Sequence, residues 1–245
     1  MPDVCLVVPC FNEATRLPGE DFLSHLAGEP RLSLCFVNDG SHDGTAAMLH
    51  ELAAKRPDRI LVLNLPSNTG KAEAVRQGML HVMKTPRFAI VGYWDADLAT
   101  PLTELSAMLD TLARLPACQL ILGSRWRRLG GDIERSVIRH ALGRVFATAA
   151  SLVLDLPVYD SQCGAKICRA PVAAVLFAES FSTRWLFDVE LLARWRIHSG
   201  GRPVAGTVIE MPLTRWRDVG GSRLGLRQMA AAPLGLLRIY RRYRR

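Results

Sequence analysis

Five short apolar, β-rich runs recur through the first half of the chain, at residues 3–8, 31–37, 59–63, 88–94 and 119–122. Helical periodicity fills three of the intervals, at 45–55, 71–83 and 102–115. Runs apolar on both faces and spaced by helices predict a mostly parallel sheet with helices on its faces, an α/β fold. In such sheets ligands bind beyond the carboxyl ends of the strands. The polar, glycine-containing loops of this chain follow the first, second and fourth runs, where that rule puts them.

The second half reads differently. Residues 136–156 form a long helical pattern with Ile138, Ala141, Leu142, Val145, Phe146, Ala149, Leu152 and Val153 as an expected packed face. A second helix is expected over 187–198 and a strand over 203–212. The net charge of +8 is unevenly placed. Residues 211–245 hold nine arginines and one acid, whereas the remainder balances 22 basic against 22 acidic residues. The basic character thus belongs to the C-terminal tail and points to an anionic partner. The six cysteines form no CxxC pair, and the first apolar run is too short for a signal or a membrane span. Reduced thiols in a cytoplasmic protein are the expectation.

Four loops carry candidate chemistry. Asp95-Ala96-Asp97 follows the fourth run. Two carboxylates one residue apart at a strand end either share a cation, with oxygen ligands suited to Mg2+ or Mn2+, or form a solvated turn ahead of the helix that Thr100-Pro101 starts. Asn38-Asp39-Gly40-Ser41 follows the second run. Asp39 either accepts bonds from a base or ribose or sits in a tight turn, and Asp43 caps the next helix on either reading. Pro9-Cys10-Phe11-Asn12-Glu13 closes the first run and offers Asn12 and Glu13 to a nucleotide. Lys71, at a helix start after Asn68-Thr69-Gly70, can reach a phosphate, although the glycine spacing is not that of a P-loop.

Taken in order, these loops resemble the signature of family 2 glycosyltransferases with the GT-A fold, a Rossmann-like, mostly parallel sheet. The resemblance continues through Gly123-Ser124-Arg125, Arg135 and Arg139, Asp160-Ser161-Gln162-Cys163-Gly164-Ala165-Lys166, Arg184-Trp185-Leu186-Phe187-Asp188-Val189-Glu190, and residues 210–224. This half looks most like the dolichyl-phosphate β-glucosyltransferase branch and its polyprenyl-phosphate relatives. It implies an inverting, metal-dependent enzyme taking a sugar from a nucleoside diphosphate, UDP-glucose above others, to a polyprenyl phosphate. Donor contacts would come from Pro9, Asn12, Glu13, Asp39, Lys71, Asp95 and Ala96, and metal ligation from Asp97 with Asp95. Arg125 and Arg139 would hold phosphate. Arg135, Gln162, Lys166, Trp185 and Glu190 would serve the acceptor. Asp188 would be a base toward a hydroxyl acceptor or a positioning group toward a phosphate acceptor. The alternatives are a soluble transferase acting on a hydroxyl, and a nucleotide-sugar-binding partner protein without catalysis.

Relatives often carry a glycine after the equivalent of Lys71, where this chain has Ala72-Glu73. The expected boundary between catalytic domain and tail falls at 222/223. In the tail, Leu234, Leu237, Tyr240 and Tyr243 recur every three residues beside Leu236, Ile239 and five arginines. A basic amphipathic helix of that kind either lies on an anionic membrane, making the protein peripheral on the cytoplasmic face, or packs on the domain. No nucleic-acid recognition module accompanies the charge, so nucleic acid is not an expected partner.

Overall fold

The computed structural model describes residues 3–134, 137–200, 206–219 and 226–244. Chain order is β1 (Val4–Cys10), α1 (Gly19–Gly28), β2 (Leu32–Asp39), α2 (Thr45–Lys55), β3 (Ile60–Leu65), α3 (Lys71–Met83), β4 (Ile90–Trp94), α4 (Glu104–Arg114) and β5 (Leu120–Ser124). Then come β6 (Asp132–Glu134), α5 (Val137–Leu154), β7 (Ala165–Arg169), α6 (Ala170–Leu176), α7 (Phe187–His198), β8 (Val208–Pro212), β9 (Arg215–Arg217) and α8 (Leu226–Tyr243).

Seven strands form one sheet in the order β3-β2-β1-β4-β7-β5-β8. β1 pairs with β2 and β4, β2 with β3, and β5 with β8, all in parallel. Strands β2 and β4 are buried throughout, and β1 is buried at six of its seven residues, as a sheet covered on both faces requires. One face is covered by α3, α5, α6, α7 and α8, the other by α1, α2 and α4.

The six expected strands and six expected helices are present, and residue 136 of the long helix, residues 203–205 of the last expected strand and residues 223–225 and 245 of the tail lie outside the described residues. Strand β7 is the main element that the periodicity did not give. It runs antiparallel between β4 and β5, with Tyr93 opposite Lys166 and Trp94 opposite Ala165. Its lysine interrupts the apolar run, so the pattern reads as loop. Short helices α1 and α6 and the small parallel pair β6/β9 were also not expected.

One expectation about a helix is corrected, and of the two readings of the tail helix one is seen. Helix α5 does not bury its whole apolar face. Ala147, Ala150 and Leu154 are buried, but Leu142, Val145 and Leu152 face solvent, because apolar residues run round more of the helix than one contact stripe can cover. Helix α8 packs on the domain. Leu236 and Ile239 are buried, the Tyr243 hydroxyl donates to Glu190 Oε1 at 2.8 Å, and Arg242 reaches Glu179 at 2.9 Å. Among the described residues no helix is long and apolar enough to cross a membrane. All six cysteines are buried free thiols, and burial pushes Cys35 and Cys168 up to about 12, outside the reactive range.

Candidate active site

Strand order reverses about β1, whose neighbours β2 and β4 are reached by crossovers on opposite sides. The crevice at the carboxyl ends of these strands is the ligand position of an open α/β sheet. Antiparallel β7 contributes its beginning to the same edge. The segment ahead of it therefore joins loops that follow the ends of the other strands.

On the β1–β2 side, backbone and neutral side chains knit the loops together. The Asn12 amide donates to Ser41 Oγ at 3.0 Å, His42 N–H donates to Asn12 Oδ1 at 2.9 Å, and Glu13 N–H donates to Thr45 Oγ1 at 2.8 Å. Pro9 lies within β1, opposite Val37. Asp43 accepts from the Thr45 amide at 3.0 Å at the start of α2. Buried Asp39 accepts four bonds from the loop ahead of α3. Thr69 N–H and Oγ1 donate to Oδ1 at 2.8 Å each, Gly70 N–H donates to Oδ2 at 2.9 Å, and Asn68 Nδ2 donates to Oδ2 at 3.1 Å. Its carboxylate thus fixes the loop that launches Lys71. Gly70 holds φ at +91°, and a Cβ there would meet Arg184 Nε at 2.8 Å. Arg184 in turn donates to Asn68 Oδ1 at 3.1 Å.

Lys71 Nζ lies 2.5 Å from Asp95 Oδ1, with both side chains about one-third exposed. Burial alone would lower the Lys71 ammonium, but Asp95, Asp188 and Asp97 together hold it above its ordinary value. Asp97 accepts from the Ala99 amide at 3.1 Å, while burial and the like charge of Asp95 raise its carboxyl. Between the two, Ala96 is buried. The Asp95 amide donates to the Gly164 carbonyl at 2.9 Å, and its side chain lies over the Gly164 Cα. A Cβ on Gly164 would fall 1.8 Å from Asp95 Oδ2. That glycine is a residue whose role the sequence did not assign.

Deeper in the crevice, Lys166 Nζ lies 2.8 Å from Asp188 Oδ1, and both are almost wholly buried. The Tyr93 hydroxyl donates to the same oxygen. Burial and the facing carboxylate push the Tyr93 phenol well up, so it remains a donor. Asp188 sits in the first turn of α7, where helix amides add positive potential. Tyr93 was absent from the sequence candidates; a tyrosine inside an apolar strand run reads as core. Glu190 also lies in that turn but faces away, bonded to Ser182, Arg194 and Tyr243. It anchors α8, and Trp185 packs against the core.

On the β5 side, Arg125 grips Asp160 bidentately, Nε to Oδ2 and Nη2 to Oδ1 at 2.7 Å each. Burial opposes its charge, yet Asp160 carries the guanidinium above its ordinary value. Glu210 on β8 accepts the amides of Tyr159 and Asp160 at 2.7 and 2.5 Å. Beside this clamp, Ser124 Oγ, Ser161 Oγ and Gln162 Nε2 are buried with no partner among the described residues. Native interiors leave few such atoms unpaired, so they mark a place for ligand or water. Arg135 and the side chain of Arg139 lie outside the described residues.

The crevice thus combines two adjacent carboxylates, a lysine beside them, a buried Lys–Asp–Tyr cluster and polar atoms awaiting partners. Comparison with known proteins bears on the family and the fold. The model of "Glycosyl transferase family 2" matches residues 5–177. A dolichyl-phosphate beta-glucosyltransferase of Trichomonas vaginalis is 32% identical over 95% of this chain and 69% of its own length. The polyprenol monophosphomannose synthase of Mycolicibacterium smegmatis is 28% identical over 89% of this chain and 80% of its own. Among solved structures, the glucosyl-3-phosphoglycerate synthase of Mycobacterium tuberculosis in complex with Mn2+ and UDP-glucose superposes with a TM-score of 0.68 at 18% identity, over 97% and 79% of the two chains. Motif order, sheet topology and the matched span converge: this chain belongs to glycosyl transferase family 2, and it is a nucleotide-sugar-dependent transferase on the GT-A fold.

Proposed function

We propose that the protein transfers a sugar, glucose from UDP-glucose in the favoured case, to a polyprenyl phosphate with inversion at the anomeric carbon. The observation that carries the acceptor class is the pairing of Asp188. Its Oδ1 is taken by Lys166 and Tyr93 in a buried cluster, an arrangement suited to positioning. A hydroxyl acceptor needs a base to remove its proton. A phosphate monoester arrives as an oxyanion and needs positioning instead. The acceptors named for the curated relatives are of this second kind. The unpartnered Ser124, Ser161 and Gln162 atoms supply donors of the type a phosphate uses.

Asp95 and Asp97 fit a cation that arrives with the diphosphate. Among the described residues no group of three His, Cys, Asp or Glu side chains forms a resident metal cage. Mg2+ and Mn2+ commonly take one or two carboxylates and complete their shell with phosphate and water. The like-charge crowding that raises Asp97 is the kind a cation relieves. Such an ion supplies neutralisation of the departing diphosphate. The fold neighbour bound to Mn2+ and UDP-glucose supports the same class of donor.

The remaining roles belong to the chain. Asp39 shapes the loop carrying Lys71, and Lys71 turns from Asp95 toward the donor phosphates. An acceptor phosphate oxygen attacks the anomeric carbon, the bond from that carbon to the donor phosphate oxygen breaks, and the nucleoside diphosphate leaves with the electron pair.

The test is transfer of radiolabel from UDP-glucose, UDP-galactose, UDP-N-acetylglucosamine and GDP-mannose, with Mg2+ or Mn2+, each with and without a short polyprenyl phosphate. Lipid-extractable label that needs the polyprenyl phosphate and falls by about a hundredfold or more in Asp97→Ala is the expected result. Nucleotide release with no lipid-linked product refutes the acceptor and redirects the search to soluble compounds.

A further inference from the structure

One outer surface joins three elements that the reaction does not use. The β5–β6 loop projects Leu129, which is 100% exposed, beside exposed Arg127 and Arg128 and half-exposed Trp126. The Trp126 ring lies 5.4 Å from that of Tyr159, and the Arg144 guanidinium of α5 lies 3.7 Å over the same tyrosine. Loop and helix therefore meet at Tyr159. On α5, Leu142, Val145 and Leu152 fall on one outer stripe, the last two 71% and 76% exposed. Helix α8 packs beside α5 over the buried α7. It exposes Leu234 and Leu237, and helical spacing carries that stripe on to Arg241 and Arg244.

Neither 125–131, 137–154 nor 226–243 contains a single aspartate or glutamate. The acids that flank these segments, Asp132, Glu134 and Asp155, are paired with Arg215, Arg217 and Arg196. An apolar surface with an edge tryptophan, and with arginines that pair with no acid among the described residues, is thus complementary to an anionic bilayer. A second copy of the chain would bring like charges face to face. The surface is also continuous with the acceptor side of the crevice. Trp126 follows Arg125, Tyr159 precedes Asp160, and Arg125 and Asp160 are the paired clamp.

We infer that this face, formed by the 126–129 loop tip, the outer stripe of α5 and the exposed edge of α8, is where the protein rests on an anionic lipid bilayer, with the acceptor end of its crevice toward the lipid. The inference builds on the lipid-phosphate reading above but is tested apart from it. It also reassigns the basic tail. Arg238 and Arg242 bond to the domain, so α5 and the loop supply most of the apolar contact.

The test is co-sedimentation of the full chain with extruded vesicles of phosphatidylcholine, with and without phosphatidylglycerol. Wild-type protein should pellet with the anionic vesicles and release as salt rises. Leu129→Ser combined with Val145→Glu and Leu152→Glu should weaken that partition by about tenfold. Leu234→Glu with Leu237→Glu should weaken it independently, which covers the case of α5 failing to fold. Leu115→Glu, at a leucine about as exposed as Leu237 but beyond α4 on the other face, should leave it unchanged. Both sets should keep turnover of a short, water-soluble prenyl phosphate. Wild type that ignores anionic vesicles, or α5 and α8 variants that partition like wild type, would overturn the inference. So would a wild-type dimer that the same substitutions convert to monomer, since the face would then belong to a second copy. Anionic vesicle binding lost in the variants, with no prenyl phosphate turned over by wild type, upholds the face and refutes only the acceptor.

Discussion

The two sides of the crevice hold their carboxylates by different physics. On the donor side, Asp39 is saturated by neutral donors, two backbone amides, a hydroxyl and a side-chain amide, all within three residues of one another. On the proposed acceptor side, Asp160 and Asp188 each face a cation, Arg125 and Lys166 respectively, and behind the crevice Glu190 faces Arg194. The first arrangement is a loop fastened to a strand end and tolerates modest change. The second places full charges in the interior, where either partner alone is strongly disfavoured.

The sharpest way to break that contrast is Lys166→Met. It leaves Asp188 buried without its cation and should lower stability by about 3–5 kcal/mol, read as a shifted urea midpoint. Adding Asp188→Asn should restore much of the loss. An unshifted single variant would mean that the pair is not charged and buried together. Asp39→Asn is the donor-side counterpart. It turns one accepting oxygen into an amide facing other donors and should cost about 1–3 kcal/mol, less than Lys166→Met. Equal losses would erase the distinction. Tyr243→Phe removes one bond to buried Glu190 and leaves Arg194 in place, so about 1 kcal/mol is expected, measured by the same unfolding curve.

The smallest effect concerns pH. The Asp97 carboxyl is raised in the folded state, so the native protein keeps its proton where the unfolded chain has lost it. Its stabilising contribution is full below the ordinary value of 3.8 and is lost as pH rises through the raised value. Asp97→Asn should therefore gain stability relative to wild type between pH 3 and pH 7, in paired urea titrations. A change of the opposite sign would show that burial and the Asp95 charge do not raise the Asp97 carboxyl.

This difference in physics also decides how much could be read before the structure. The donor side was legible because its signals are local. Asn38–Gly40, Asn68–Lys71 and Asp95–Asp97 each follow a strand or open a helix within a few residues, and the strands carry unbroken apolar runs. The proposed acceptor side depends on partners 22 to 95 residues apart in sequence, Lys166 with Asp188, Arg125 with Asp160 and Tyr93 with Asp188. No periodicity reports such pairs. Lys166 concealed β7 because a buried lysine in a strand makes sense only once Asp188 stands beside it. The outer stripe of α5 was misread for the converse reason. Apolar spacing shows that a face can be buried but not which face the domain covers.

The anchoring of α8 also sets a schedule for synthesis. Glu190 and its bonded partner Tyr243 are 53 residues apart in the chain. At about 5–20 residues per second, roughly 3–10 seconds separate the synthesis of Glu190 from that of its partner. During that interval Leu236 and Ile239 do not yet cover the helix that carries Asp188. The helix that carries Asp188 is thus covered last, and a nascent chain that has emerged without α8 presents an uncovered apolar surface to whatever chaperone is nearby.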